Sequence, residues 1–405
     1  MLDDDCFRHD RDRLRHAEAL ALIAERLAPV VGTETVPLAA ADGRVLAETV
    51  TAPRAVPGHD NAAVDGFAFA HAGGTTFRIA SRIAAGEAGG TLWTGEAARI
   101  FTGAPMPAGA DTVAMQEDCV SDGDTVTVPT LKPGANRRRA GEDVAVGSTV
   151  AAPGTVLRPQ DVAAIASTGA GSVTVRQRLR VALLSTGSEL LAPGAPFRQG
   201  GVYDSNRPML LALLARLGCA VTDLGALPDD RRAIERVLGE AASDHHAVVT
   251  SGGASKGEED HLLASLDALG RRHLWQLAVK PGRPMMMGQI GDAAVLGLPG
   301  NPVAAMVCAL LYLRPALARL GGASLPGPTR YPLPAAFSIR SKPDRREFLR
   351  GWVEAGRAVK FERDGSGLIS GLTRATGLIE IAEETVRVDE GEPVGFIPFA
   401  ELGVA

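Results

Sequence analysis

At 405 residues the chain is too long for one hydrophobic core and reads as roughly two to four domains. It is 45% hydrophobic and 22% charged with a net charge of −5. That balance argues against a general nucleic-acid binder or membrane-surface protein.

Residues 12–28 read as a helix, with Leu20, Ile23 and Leu27 on one face and Pro29 ending it. Thr35 to Leu38 and Arg44 to Val50 read as strands around the turn Asp42-Gly43. The run from Pro53 to Asp65 is a loop in which polar residues crowd between glycines and prolines, a pattern suited to function. From 67 to 150 short β-like runs (Thr76 to Ala80, Ala98 to Phe101, Thr112 to Gln116, Thr125 to Val128) predict a small β domain. Within it lie Thr102-Gly103-Ala104-Pro105 and Arg137-Arg138-Arg139, a run that forms a solvated face or holds a phosphate. A short helix is expected over 155–169.

From Arg178 to Gly321 strands alternate with helices. Val181 to Leu184, Ala220 to Leu224, Ala247 to Val249, Leu274 to Val279 and Ala293 to Leu298 are the strands. Asp204, Ser205 and Asn206 offer caps for one helix, Asp229 for the next, and Asp260 precedes Leu262 to Leu269. The alternation predicts a mainly parallel sheet covered by helices on both faces, with ligands outside the carboxyl ends of the strands. Three loops there carry chemistry: Ser185 to Glu189, Ser251 to Asp260, and Leu298 to Asn301. None is a Walker A or G-x-G-x-x-G motif, so ordinary NTP or NAD binding is not supported. Gly300, Asn301 and Pro302 read as a turn, an N-cap and a first helical residue, and Lys280 and Arg283 lie just upstream, so an anion site is expected there. Lys280 and Lys256 are two of only five lysines. The tail, 327–405, has the short, turn-broken segments of an all-β domain.

Four widely spaced cysteines, Cys6, Cys119, Cys219 and Cys308, fit reduced and mostly buried thiols in the cytoplasm. His245 and His246 would point opposite ways on a strand, which argues against zinc. The acidic N-terminus is not a signal peptide, and the most apolar stretch, Val303 to Leu313, is too short to span a bilayer.

Taken together, the motifs are similar to those of the molybdopterin molybdenumtransferase family, bacterial MoeA and the E domain of gephyrin. They run in order through Pro57-Gly-His-Asp-Asn-Ala-Ala-Val-Asp-Gly66, Thr102-Gly-Ala-Pro-Met-Pro107, Met115-Gln-Glu-Asp118 and Gly141-Glu-Asp143. The series continues with Ser185-Thr-Gly-Ser-Glu-Leu190, Tyr203-Asp-Ser-Asn206, Ser251-Gly-Gly253, Lys280-Pro-Gly282 and Gly297-Leu-Pro-Gly-Asn-Pro302. The resemblance covers nearly the whole chain. It implies a multidomain α/β plus β protein: a discontinuous N-terminal domain (1–50 and 146–177), an inserted small β domain (51–145), a doubly wound α/β molybdopterin-binding domain (178–326) and a C-terminal β-barrel (327–405). It also implies a homodimer with the site shared between subunits. The implied reaction inserts molybdate into adenylylated molybdopterin and releases AMP with Mg²⁺.

By family position, Asp65, Asp143, Glu189, Asp229, Asp260 and Lys280 are the expected catalytic residues, with Glu189 and Asp260 nearest Mg²⁺. Lys280, Arg283, Arg350 and Thr376 are expected at molybdate. Thr102, Ser185, Gly187, Ser251, Gly252, Gly253, Pro299, Gly300, Asn301 and Pro302 are expected at the cofactor. Gln276 stands where relatives often carry a cation, and Ala304 where a Ser is common; Lys256 or Arg374 is expected to supply part of the missing charge. Molybdopterin adenylyltransferase or cofactor-accepting oxidoreductases are the implied partners, with no nucleic acid and no membrane. Two other readings are a molybdopterin adenylyltransferase, against which the 177 residues before the α/β run argue, and a gephyrin-like scaffold.

Overall fold

The computed structural model describes residues 13–253, 261–363, 365 and 367–404. They fall into two compact units. One holds the chain up to Glu34, Gly43–Ala47 and everything from Arg176; the other holds Thr35–Asp42 and Glu48–Val175.

The second unit is built on a six-stranded sheet in the order Thr112–Met115, Gly66–Phe69, Glu96–Ile100, Thr76–Ile83, Thr125–Thr127, Val120–Asp122. Side chains alternate across a strand. Phe67 and Phe69 therefore pack with Phe77 and Val126 on one face, while Ala68 packs with Ile83, Ala98, Ile100 and Val113 on the other. Gly66 is obligatory where the strands cross closely: a Cβ there would lie 1.8 Å from the Ala114 carbonyl oxygen. The helix expected over 155–169 is Pro159–Ser167.

The first unit opens with α1 (His16–Arg26). Thr33–Pro37 is a strand, but the one expected over Arg44 to Val50 is not formed, and the strand found there is only Val50–Thr51. Arg44 decides this. It is buried, and its guanidinium binds Glu34 and the Arg176 carbonyl oxygen (2.8 Å), so the segment follows a side chain instead of a hairpin ladder.

The α/β run then proceeds through β1 (Arg180–Thr186), α2 (Asn206–Arg216), β2 (Ala220–Leu227), α3 (Arg231–Asp244), β3 (Ala247–Ser251), α4 (His261–Leu269), β4 (Arg271–Trp275), β5 (Val279–Lys280), β6 (Met286–Ile290) and β7 (Ala293–Leu298). Six of these strands form one sheet, ordered β2-β1-β3-β7-β6-β4. The first four run parallel, and β6 alone is reversed, pairing antiparallel with both β7 and β4. Leu183, Val249 and Leu296 face a core shared with α1, α2 and the helix after β7, while Leu184, Val248 and Val295 face α3 and α4. Hydrophobic runs such as Val181 to Leu184 are thus buried from both sides, as parallel strands require.

Three expectations need correcting. Leu274 to Val279 is not one strand: β4 ends at Trp275 and β5 starts at Val279, with Gln276 between them in a left-handed conformation (φ 79°). His245 and His246 do not lie on a strand, because His245 closes α3, its N–H bonded to the Ala241 carbonyl. The apolar stretch from Val303 belongs to α5 (Pro302–Leu320), 19 residues long and by length and composition alone sufficient to cross a membrane. Within this protein most of that stretch is buried. Val307, Leu310, Leu313 and Leu317 belong to the main core, so α5 is the central helix of a packed domain. A π-helical turn over Ala309–Leu313 lets it pass Pro315, which offers no N–H.

The C-terminal strands β8 (Tyr331–Pro334), β9 (Arg346–Glu354), β10 (Gly377–Ile381) and β11 (Pro393–Pro398) make a second, curled sheet. Its edge is β5. Val279 and Lys280 run parallel to β9, opposite Arg346 and Glu347. A piece of the α/β sequence is therefore built into the C-terminal sheet.

Candidate active site

The Lys280 turn is held from both sides. Beneath it lies α5. A Cβ on Gly282 (φ 114°) would stand 2.4 Å from the Cys308 sulfur, so only glycine lets the turn lie this close. Beside it lies β9, whose Glu347 accepts from Lys280 Nζ at 3.2 Å. Glu347 Oε1 also accepts from Arg345 (2.7 and 3.1 Å) and from Ser341 Oγ at 3.1 Å. Burial pushes this carboxyl up, yet the hydrogen bonds from Arg345 and Lys280 leave it below the usual carboxylate range. Arg283 reaches Gln276 Oε1 at 3.3 and 3.4 Å.

In front of the turn is a cleft of about 1270 Å³, walled by the Lys280 turn, Pro299–Ala304, the chain around Val202–Asn206, and the C-terminal sheet at Phe348–Arg350. Arg13, Lys280, Arg283, Arg345, Arg350 and Lys360 line it, against two acids, Glu189 and Asp204. Six basic groups against two make it a site for anions. At its floor Asn206 Nδ2 donates to Ser251 Oγ (2.8 Å) and to the Gly300 carbonyl (2.7 Å), tying three strand-end loops together. The buried oxygens Asn206 Oδ1, Ser185 Oγ, Thr186 Oγ1 and Thr250 Oγ1 have no partner among the described residues. Each such group costs about 1–3 kcal/mol if left unsatisfied, so this corner is suited to a polar ligand.

Of the residues expected from sequence, Glu189, Lys280, Arg283, Pro299, Gly300, Asn301, Pro302 and Arg350 line the cleft. Ser185, Gly187, Ser251, Gly252 and Gly253 sit at the carboxyl ends of β1 and β3, behind that lining. Asp229 is turned away: its Oδ2 accepts the Ser188 N–H at 2.7 Å, and its own N–H donates to Ser188 Oγ at 3.0 Å. Nor does it cap α3, since Asp230 accepts the Ala233 N–H instead. Asn301 occupies the N-cap position of α5, but its side chain makes no capping bond. Arg350 is buried, donating to the carbonyls of Leu368 and Arg363 at 2.9 Å and lying 5.1 Å over the Phe361 ring. Thr376 does not line the cleft; its backbone pairs with Gly351 and Phe399, leaving it exposed at the start of β10. Asp260 and Lys256 lie outside the described residues.

In the other unit, Asp65 Oδ1 accepts both the N–H (2.7 Å) and the hydroxyl (2.8 Å) of Thr102. Those two bonds hold its carboxyl below the usual range. The Thr102 hydroxyl thus already serves an acid. Asp143 is exposed, in a loop whose N–H donates to Val56. Arg137 pairs with Asp60 at 3.6 Å, so the arginine run is partly an ion-pair partner.

Sequence reasoning missed Glu347, Arg345 and Asn206. Of the three caps the sequence offers, Asp204, Ser205 and Asn206, Asp204 takes that part through the Arg207 N–H (3.0 Å), which frees Asn206 to reach across the loops. Among the described residues no group of three or more His, Cys, Asp and Glu side chains converges as a metal site.

Comparisons with known proteins agree along the chain. A family described as the MoeA N-terminal region (domain I and II) matches residues 14–169, a probable molybdopterin binding domain matches 182–319, and the MoeA C-terminal region (domain IV) matches 332–399. A molybdopterin molybdenumtransferase of Haemophilus influenzae is 36% identical over 399 residues, covering 95% of this chain and 98% of that protein. Molybdopterin molybdenumtransferase 2 of Mycobacterium tuberculosis is 35% identical, covering 88% and 93%. The crystal structure of a molybdopterin biosynthesis MoeA protein from Pyrococcus horikoshii superposes with a TM-score of 0.83 at 30% identity, covering 96% of this chain and all of that one.

Proposed function

Since the chain belongs to the molybdopterin molybdenumtransferase family, we propose that it inserts molybdenum from molybdate into adenylylated molybdopterin, releasing AMP, in molybdenum cofactor biosynthesis. The observation that carries this reading is the cleft itself, with Lys280 and Arg283 standing among six basic residues.

Molybdate is a tetrahedral dianion, and placing it beside a phosphoanhydride requires fixed cations and N–H donors. Lys280, with 44% of its side chain exposed, supplies a charge to the open cleft, and Arg283 a second. Arg350, spent on two carbonyls, acts as a wall that carries charge. Asn206 Oδ1, without a partner among the described residues, suits an N–H or O–H of the organic substrate.

Mg²⁺ is held by one or two carboxylates together with substrate phosphates, and does not need an all-protein cage. Glu189, exposed in the cleft lining, fits such a site, with Asp260 as the second candidate. When bound, the ion would offset phosphate charge as the anhydride is cleaved. Operation as a homodimer in the cytoplasm belongs to the same proposal; the free thiols of Cys119, Cys219 and Cys308 are compatible with it.

The test is to incubate the purified protein with adenylylated molybdopterin, Mg²⁺ and either molybdate or tungstate, and to quantify AMP. AMP release is expected to depend on the oxyanion. Lys280→Ala should lower it by about tenfold or more at subsaturating oxyanion, the equivalent of one contact of ~1.4 kcal/mol. Oxyanion-independent AMP release, or equal release by the variant, would sink the reading.

A further inference from the structure

Glu347 lies behind the cleft lining, with only 2% of its side chain exposed, yet it holds two of the six lining cations. Its Oε2 accepts from Lys280 Nζ, and its Oε1 from Arg345 and Ser341. With both oxygens engaged, its own rotamer is fixed. The backbones are fixed as well, because Lys280 and Glu347 are opposite each other in the parallel pairing of β5 with β9. A lysine alone is a point charge on a flexible four-carbon stem and would sweep much of a cleft this size. Tethered at one N–H, Lys280 keeps two of its three donors for a ligand.

Resting on the reading that Lys280 binds the oxyanion, we infer that Glu347 is the positioning residue of that subsite: it aims the Lys280 ammonium into the cleft from the C-terminal sheet. Part of the oxyanion subsite is thereby specified by a strand that follows Lys280 by more than sixty residues. The role is distinct from that of Arg350, which lines the cleft directly.

A double-mutant cycle on the full-length protein tests this, with molybdate binding read by calorimetry and AMP release as the second readout. Glu347→Gln is expected to weaken molybdate about tenfold, raising the KM for molybdate while kcat at saturation stays within about twofold. In the Lys280→Ala background the same change should cost less than about threefold, because the group through which it acts is gone. A full additional tenfold loss in that background would show that Glu347 acts independently and would overturn the proposal. Tighter binding by Glu347→Gln would overturn it too, showing a carboxylate that competes with the oxyanion. Unchanged binding by Glu347→Gln beside weakened binding by Lys280→Ala removes the positioning role alone. Unchanged binding by Lys280→Ala removes the underlying reading and this one with it. If Glu347→Gln does not fold, Glu347→Asp keeps the charge and withdraws it by one methylene; it should weaken binding about threefold, and unchanged binding would count against the role.

Discussion

Two buried titratable side chains near the junction of α5 and β9 respond oppositely to desolvation. Glu347 has collected enough donors to remain ionised. His16 has not. Its Nδ1 meets the Tyr312 hydroxyl at 2.8 Å, its ring stands edge-on to Tyr312 and Phe348, and Nε2 has no partner among the described residues. Burial first, then the nearby charge of Arg346, lowers its pKa from 6.5 to about 4. Between those values the unfolded chain binds the proton that folded His16 refuses, so stability is full above about 6.5 and falls as pH drops toward 4. The loss should approach ~3 kcal/mol at ~1.4 kcal/mol per pH unit. Denaturant unfolding at pH 7 and pH 4.5 should show it in the native chain, and His16→Phe should flatten that difference; an identical pH slope in the variant would refute the assignment. At this scale the sequence was partly legible. Lys280 and Arg283 stood out because lysine is scarce here and both flank a glycine turn. Glu347 did not, because what a strand residue touches depends on which strand pairs with it, and nothing in Glu347-Phe-Leu-Arg-Gly351 says that β5 is the neighbour. The same motif draws the eye to Arg350, whose guanidinium is already engaged with two carbonyls.

Elements were legible where the period of burial was simple. The runs Val181 to Leu184 and Ala293 to Leu298 declare strands buried on both faces, and their glycine-rich ends mark the ligand side of the sheet. Legibility failed where one side chain or a long-range pairing overruled local pattern, as with Arg44 in place of a hairpin, or β5 leaving its own sheet for the C-terminal one. Caps show the limit most clearly, since Asp229 and Asp230 are chemically the same and only geometry separates them. Asp230 accepts the Ala233 N–H at 2.7 Å, so Asp230→Ala should cost about 1 kcal/mol of stability. Asn301 makes no such bond, so Asn301→Ala should change stability by less than ~0.5 kcal/mol despite its cap position. Urea unfolding of the two variants checks both, and a larger loss for Asn301 than for Asp230 would reverse the assignment.

For the molecule as a whole, length foretold several cores, and the switch from β-like to alternating segments near Arg178 located the α/β run. Among the described residues hydrophobic clusters lie on each face of the α/β sheet, in the second unit and in the C-terminal sheet. What local pattern does not encode is whether residues of different units serve one site. Lys280 belongs to one unit, while Asp65 with its Thr102 partner belongs to the other. If both serve one reaction in a homodimer whose site is shared, Asp65→Ala and Lys280→Ala should each abolish most AMP release, since each damages both sites. A dimer with one subunit of each kind would then carry one site with both residues intact and one with neither. Random mixing makes about half the dimers of that kind, each with one of two sites working, so about a quarter of native activity should return. A site completed within one subunit predicts the opposite, because every subunit in the mixture lacks one of the two residues. Co-expression with two affinity tags, followed by purification of the mixed dimer, isolates that species, and its activity should be about half that of the native protein. A mixed dimer as inactive as its parents would mean that Asp65 and Lys280 act within a single subunit.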